Sequence, residues 1–513
     1  MLAILPEVGI ARGLQESLGQ GSIAQPKGNR AMAQPYAPRL IAIIVAAAMF
    51  MGSLDQTVIA TALPQMARAF HRPPVDLSLA MTIYILVMAA FLPVSTWVAD
   101  RLGARKVFAG AIVGFAAASA LCGISQNLPE FIAARVLQAL AATLMAPVGN
   151  LVLFRSTAKK DLVTAVAIST TPGLVAPVIG PAIGGFIVTF LEWPWIFYLN
   201  IPIAIVGVAL ALRYIPDLKA SEPRPFDWRG FWLTGTALGA FIYGLDRISA
   251  PGSGWGWPAA MIVLGLGLGV LAIRHSRRAA HPLLSLAPLK IPTFRTSSLT
   301  GGMLIRIPFR GMGFTLPLMF QVALGMSAFQ SGLLVLGYNG GDLLLKSIAN
   351  QALRRMGFRK ALTVTAILSA LATLSWVAFS PSTPFWAIFA VLVLSGMARS
   401  ILMTATVSMT FADVPHKEIG AATVLSNVLN QTTGAVAIGL AALILNLSSA
   451  ARGAAGHVGL ADCRLALVIM ALVGLTSVVS FRRLPHDAGA EVSGHRPLAD
   501  RLAVREAEVE AEA

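Results

Sequence analysis

The chain has 513 residues, of which 56% are hydrophobic and only 12% charged, with a mean hydropathy of +0.74 and a formal net charge of +16 at pH 7. That composition lies outside the range of water-soluble domains. In a soluble protein the basic excess would suggest nucleic acid, but here Lys and Arg gather in short loops between apolar runs, which reports membrane orientation and not a polyanionic partner.

Apolar runs of about twenty residues, the length needed to cross a hydrocarbon core of roughly 30 Å, recur along nearly the whole chain. With no water at that depth they must be helices. In chain order the runs predict spans over 39 to 66, 76 to 99, 106 to 126, 129 to 154, 161 to 190, 195 to 213, 230 to 246, 257 to 273, 296 to 321, 328 to 350, 361 to 380, 384 to 411, 419 to 446 and 463 to 481. Residues 1 to 38 lack a basic start, an apolar core of signal length and a small-residue cleavage site, so they read as a cytoplasmic tail, with Met32 a candidate start. Residues 483 to 513 are polar, end in Glu-Ala repeats and read as a second solvated cytoplasmic tail.

Basic residues alternate from loop to loop: Arg101, Arg105 and Lys106; Arg155, Lys159 and Lys160; Arg213, Lys219, Arg224 and Arg229; Arg274, Arg277, Arg278, Lys290 and Arg295; Arg354, Arg355, Arg359 and Lys360. Cytoplasmic loops carry this excess, so both termini are expected in the cytoplasm. Cys122 and Cys463 stand far apart without ligand spacing, so neither a disulfide framework nor a zinc site is expected.

Arg101-Leu102-Gly103-Ala104-Arg105-Lys106 after the second span is echoed by Arg355-Met356-Gly357-Phe358-Arg359-Lys360 after the tenth. An offset of eight spans divides the chain into a six-helix bundle over 39 to 214, an inserted pair of helices over 228 to 274, and a second six-helix bundle over 295 to 482, in the manner of transporters built from repeats.

In the first span, Leu54-Asp55-Gln56-Thr57-Val58-Ile59-Ala60-Thr61-Ala62-Leu63-Pro64 puts a carboxylate at mid-membrane, which costs on the order of 2.5 to 3.5 kcal/mol by insertion scales. Asp55 is therefore expected to face the bundle interior or a water-filled cavity, where protonation is a usable switch, although a permanently paired, structural Asp55 is the alternative. The loop Thr96-Trp97-Val98-Ala99-Asp100-Arg101-Leu102-Gly103-Ala104-Arg105-Lys106 needs Gly103 for a tight turn, and Asp100 can accept hydrogen bonds from a neighbouring helix end or an Arg. The fourth span holds Arg135 and Gln138 in Arg135-Val136-Leu137-Gln138-Ala139, and in the fifth Gly173, Pro177, Gly180, Pro181, Gly184 and Gly185 leave one helix face nearly flat.

These four stretches resemble signatures of the major facilitator superfamily, and the first span is similar to that of its fourteen-span drug:proton antiporter branch. Thr96 and Ala139 each stand where the family has Gly. The resemblance implies an all-α polytopic membrane protein with the major facilitator fold, in which Asp100, Arg101, Gly103, Arg105 and Lys106 form a conformational latch and the fifth-span stripe is the antiporter motif. It also implies that Arg135 helps couple protons to transport.

The second half adds Arg306 and Arg310 in span nine, Asp342 and Lys346 in span ten, and Arg399 in span twelve. Asp342 and Lys346 are four apart, so an intrahelical ion pair and a transport role fit equally. Asp55, Arg135 and Asp342 are the candidate proton-coupling residues, and Asp55, Gln138, Arg306, Arg310, Asp342 and Lys346 the candidate substrate cavity. The basic members would attract an anionic or zwitterionic group and Asp55 a cation, so the charge of the cargo stays open.

A phosphate-binding Gly-rich loop, a His-Glu-x-x-His helix and a Gly-x-Ser-x-Gly elbow are all missing from the sequence, so an enzyme, a resident cofactor or metal, and ATP-driven transport are not expected. The expected function is proton-coupled efflux of small amphipathic molecules by alternating access in a bacterial inner membrane. Its partners are the substrate, protons and the lipid bilayer, with a periplasmic adaptor protein compatible and nucleic acid excluded. Uptake or export of a specific metabolite, and a non-transporting sensor or scaffold, are the rival readings.

Overall fold

The computed structural model describes residues 38–157, 162–216, 225–247, 256–279, 282–415, 418–454 and 457–485. The expected N-terminal tail with Met32, nearly all of the expected C-terminal tail, and the loop residues Lys159, Lys160, Lys219 and Arg224 lie outside them.

Fourteen long helices and no strand occur among the described residues. They are α1 (Pro38–Ala69), α2 (Ser78–Leu102), α3 (Ala104–Ile124), α4 (Leu128–Ser156), α5 (Leu162–Phe190), α6 (Asn200–Tyr214), α7 (Trp228–Arg247) and α8 (Gly256–Arg278). Beyond them come α9 (Gly301–Leu318), then Ala328–Ser375, which Gly357 divides into α10 (328–356) and α11 (358–375), and finally α12 (Phe385–Phe411), α13 (Ile419–Ala451) and α14 (Leu460–Arg482).

By length and composition ten of these are fit to cross a membrane: α1 to α4, α6 with the turn before it, α8, and α11 to α14. The chain is a multi-pass membrane protein. The four helices outside that group are α5, α7, α9 and α10; three prolines lie inside α5, α9 holds Arg306 and Arg310, and α10 holds Asp342 and Lys346.

Local signals fix the ends. Asn127 caps α4 through the Glu130 N–H at 3.0 Å, and Ser327 and Gln330 form a reciprocal capping box at the start of α10. Gly103 is the one residue between α2 and α3, with φ at 95°, and Gly357 between α10 and α11 has φ at 68°. A loop was expected over residues 351 to 360, but helix runs up to Gly357 on one side and away from it on the other. Helix α8 also outlasts its expected end, which brings His275 into it rather than into a loop.

In the first half, α1 packs on α4, α5 and α6, and α4 on α2 and α3; in the second, α9 packs on α13 and α14, and α10 on α12. The inserted α7 and α8 form a hairpin whose α7 lies against both α2 and α13. Phe231 of α7 meets Phe91 of α2 edge-on at 5.0 Å. At the base of the hairpin Asp227 accepts from the Gly230 N–H at 2.9 Å and the Leu283 N–H at 3.1 Å, and it sits 2.8 Å from His275 Nε2. Burial pushes that carboxyl up, but these three partners outweigh it and hold Asp227 below its ordinary value.

The halves meet on the side away from the basic loops. There Gln321 Nε2 donates to the Thr61 carbonyl at 3.0 Å and the Phe329 N–H to Thr189 Oγ1 at 3.0 Å. A methyl group on Gly185 would run into the Ala328 carbonyl, and one on Gly332 into that of Pro181, so α5 and α10 approach backbone to backbone.

Candidate functional site

Asp55 and Arg135, 80 positions apart, form an ion pair of 2.7 Å with both side chains 1% exposed. The same carboxylate accepts from Gln138 Nε2 at 2.9 Å. Gln138 also donates to Ser119 Oγ at 2.8 Å and accepts from Arg135 Nη1 and Cys122 Sγ, so its amide is used on both sides and its orientation is fixed. Tyr84 of α2 lies flat beneath the guanidinium, its ring centre 4.0 Å from Arg135 Cζ. A buried charge pair of this kind stands only if desolvation is offset by geometry and further hydrogen bonds, and the Gln138 and Tyr84 contacts supply them.

The second half builds a related cluster. Arg399 of α12 donates to Asp342 of α10 at 2.7 Å, lies 4.5 Å from the Tyr338 ring centre and reaches Asn339 Oδ1 at 3.3 Å. Asn339 Nδ2 donates to the Pro177 carbonyl of α5 at 2.7 Å, which ties this cluster to the first half. Tyr84 and Tyr338 are 254 positions apart, as are Gly103 and Gly357, so the spacing of the basic turns also relates the two stacked tyrosines, while Arg135 on α4 and Arg399 on α12 are 264 apart. The carboxylates break the repeat, one coming from α1 and the other from α10.

Between the halves lies a cavity of about 640 Å³ with walls from α1, α2, α4, α5, α9, α10, α12 and α13. Arg135, Arg306, Arg310 and Arg399 line it, and among the described residues no acidic side chain does. Its wall continues toward the basic-loop ends of α12 and α13 through Val407, Phe411 and Asn427, all exposed, while the opposite end is closed by the α1–α9 and α5–α10 contacts.

Of the six residues expected around a substrate cavity, only Arg306 and Arg310 are in its wall. Asp55 and Gln138 stand behind Arg135, and Asp342 behind Arg399, because each guanidinium takes the cavity-facing place and its partner the interior one. Lys346 is exposed and outside the wall; the expected intrahelical pair does not form, since Asp342 turns to Arg399 instead. Arg306 donates to the Ser297 carbonyl at 2.9 Å and Arg310 to Asn430 Oδ1 at 3.5 Å.

In the turn after α2, Asp100 accepts from Arg155 at the end of α4 at 3.0 Å, Arg101 lies over Trp97 at 4.9 Å, Arg105 is half-buried and Lys106 exposed. The Asp100–Arg155 pair is about one-third exposed on each side, so its worth is at most about 1 kcal/mol. In the α5 stripe, Gly173, Pro177 and Pro181 line the cavity, Gly180 and Gly184 admit Thr57 and Thr61 of α1, and Gly185 admits α10. Tyr84, Tyr338, Ser119 and Asn339 were not singled out from sequence; the 254-residue spacing, carried from the glycines to the tyrosines, was the available signal.

The family model described as Major Facilitator Superfamily matches residues 45–295 and 298–507. Relatives provisionally named multidrug resistance protein MdtD include one from Cronobacter sakazakii, 32% identical over 452 residues, covering 86% of this chain and 94% of the relative. Another, from Escherichia coli, is 31% identical over 456 residues, covering 88% and 95%. Among solved structures, the POT family transporter PepTSo superimposes with a TM-score of 0.64 at 14% identity, covering 89% of this chain and 98% of that one. A D-xylose-proton symporter does so with a TM-score of 0.61 at 12% identity, covering 88% and 98%. The fold is thus the one these transporters share, and the chain belongs to the major facilitator superfamily.

Proposed function

We propose that the protein is a proton-coupled exporter of small amphipathic molecules, a multidrug-type antiporter working by alternating access. The observation that carries this is the Asp55–Arg135 pair, sealed from water yet backed directly onto the cavity wall. The multidrug names of relatives matching most of the chain support the same reading.

Arg135 is the one member of the pair in contact with the cavity, so whatever changes the charge on Asp55 changes how strongly Arg135 is held. A proton delivered to Asp55 removes that hold and frees the guanidinium toward the cavity; its loss restores the pair. Substrate and proton then bias one set of states in opposite senses, which is the requirement for exchange. The gradient supplies about 2.3 kcal/mol per charge per 100 mV before any pH term.

On this reading the cavity faces the cytoplasm, where the basic loops and both termini lie, in a bacterial inner membrane. Bundles over 39–214 and 295–482 rock about the α5–α10 and α2–α13 contacts, with fourteen spans in all and the 228–274 pair bridging them. The turn holding Asp100, Arg101, Gly103, Arg105 and Lys106 latches the opposite state, and Asp342 with Arg399 serves as the second-half counterpart of the coupling pair.

The test is efflux of a fluorescent amphipath from energised membrane vesicles. Asp55→Asn should abolish energy-dependent efflux while monodispersity and a cooperative unfolding transition show a folded, though less stable, protein. Full efflux by a folded Asp55→Asn would remove Asp55 from the mechanism.

A further inference from the structure

We propose that the cavity selects organic anions, seating a carboxylate, sulfonate or phosphate group between Arg306 and Arg310 with an apolar body against Phe309 and Met403. This rests on the cavity being the transport site.

Four guanidiniums line the cavity and, among the described residues, no acidic side chain does. Each of the two carboxylates behind its wall is committed to one guanidinium, Asp55 to Arg135 and Asp342 to Arg399, both at 2.7 Å. Arg306 and Arg310 are left with neutral acceptors, the Ser297 carbonyl and the Asn430 amide oxygen. Neither forms an ion pair with any described residue. A guanidinium carries five N–H donors in a planar fork suited to carboxylate and phosphate, so most of the donors on both residues stay unused.

The two are four apart on α9, which places them one above the other on the same helix face. Were they structural, a carboxylate within the wall would neutralise them, as Asp462 does for Arg452 elsewhere. A cation finds the reverse environment, because Asp55 is closed off behind Arg135 and every charged group among the described wall residues is positive. Phe309, Met403, Val407 and Phe411 add apolar wall, so the complementary ligand is amphipathic as well as anionic.

The experiment measures equilibrium binding of radiolabelled 1-naphthoate, 1-naphthamide and 1-naphthylmethylammonium to the full chain in nanodiscs of zwitterionic lipid. One aromatic body carries three charges. Naphthoate should bind at least tenfold more tightly than the other two. Arg306→Gln/Arg310→Gln should reduce that preference below threefold with naphthamide binding unchanged, and Arg306→Lys/Arg310→Lys should retain most of it. Equilibrium binding needs no gradient, so loss of proton coupling, read by vesicle efflux, and loss of anion selectivity are read separately. Equal or tighter binding of the amide or ammonium compound, no binding of naphthoate, or full preference in the Gln double variant would each overturn the proposal.

Discussion

Removing one charge of the Asp55–Arg135 pair should cost far more than removing both. At 2.7 Å and an effective dielectric near 20, the pair attracts by about 6 kcal/mol. Asparagine at position 55 returns about 1.5 to 3 kcal/mol through a hydrogen bond to the remaining guanidinium. Asp55→Asn is therefore expected to destabilise the fold by about 3 to 5 kcal/mol, the usual cost of orphaning one partner of a buried pair. Arg135→Gln should fall in the same range, since it strands the carboxylate. The double variant leaves no buried charge, and its cost should lie at least about 3 kcal/mol below the sum of the singles. The assay is reversible unfolding in mixed micelles, following tryptophan fluorescence as the denaturing detergent fraction rises. Strict additivity, or singles costing under about 1 kcal/mol, would show that the pair does not hold these helices together and would refute the reasoning.

Replacing Gly185 with Leu should prop α5 away from the Ala328 carbonyl; with Cys122 and Cys463 changed to Ser, a Gln321→Cys probe should then label from the face opposite the basic loops and stay protected in the Gly185 parent. Gly103→Ala should cost about 1 to 3 kcal/mol in the same unfolding assay, because φ at 95° strains any residue with a Cβ. Asp227 is held below its ordinary value, so its contribution to stability is fully present above about pH 3.8 and is lost as pH falls through the lower, folded value. Asp227→Asn should accordingly flatten the acid-side slope of stability below pH 3.8, and an unchanged slope would show that its three hydrogen bonds carry no net stabilisation.

Much of this molecule is legible in its sequence because membrane helices announce themselves by hydropathy, and the expected spans over 76 to 99 or 384 to 411 differ from helices by a few residues. Asp55, Arg135 and Gln138 were also visible one by one, as polar residues too costly to sit idle in lipid. Their joining was not, since spans one and four are brought together by helix packing that no local pattern encodes. Charge alone misplaced Lys346: four-residue spacing proposed it as the partner of Asp342, but α12 delivers Arg399 to the same carboxylate with better geometry. The order of layers, guanidinium toward the cavity and carboxylate behind it, is likewise a tertiary property, and it decides which charge a ligand meets.

The most direct measurement of proton-coupled exchange uses proteoliposomes with a trapped pH dye and no imposed pH or voltage gradient. An outward gradient of a transported amphipath should drive protons inward, and the proton flux should vanish with Asp55→Asn. Substrate leaving with no proton entering, or proton entry that survives Asp55→Asn, would contradict the account.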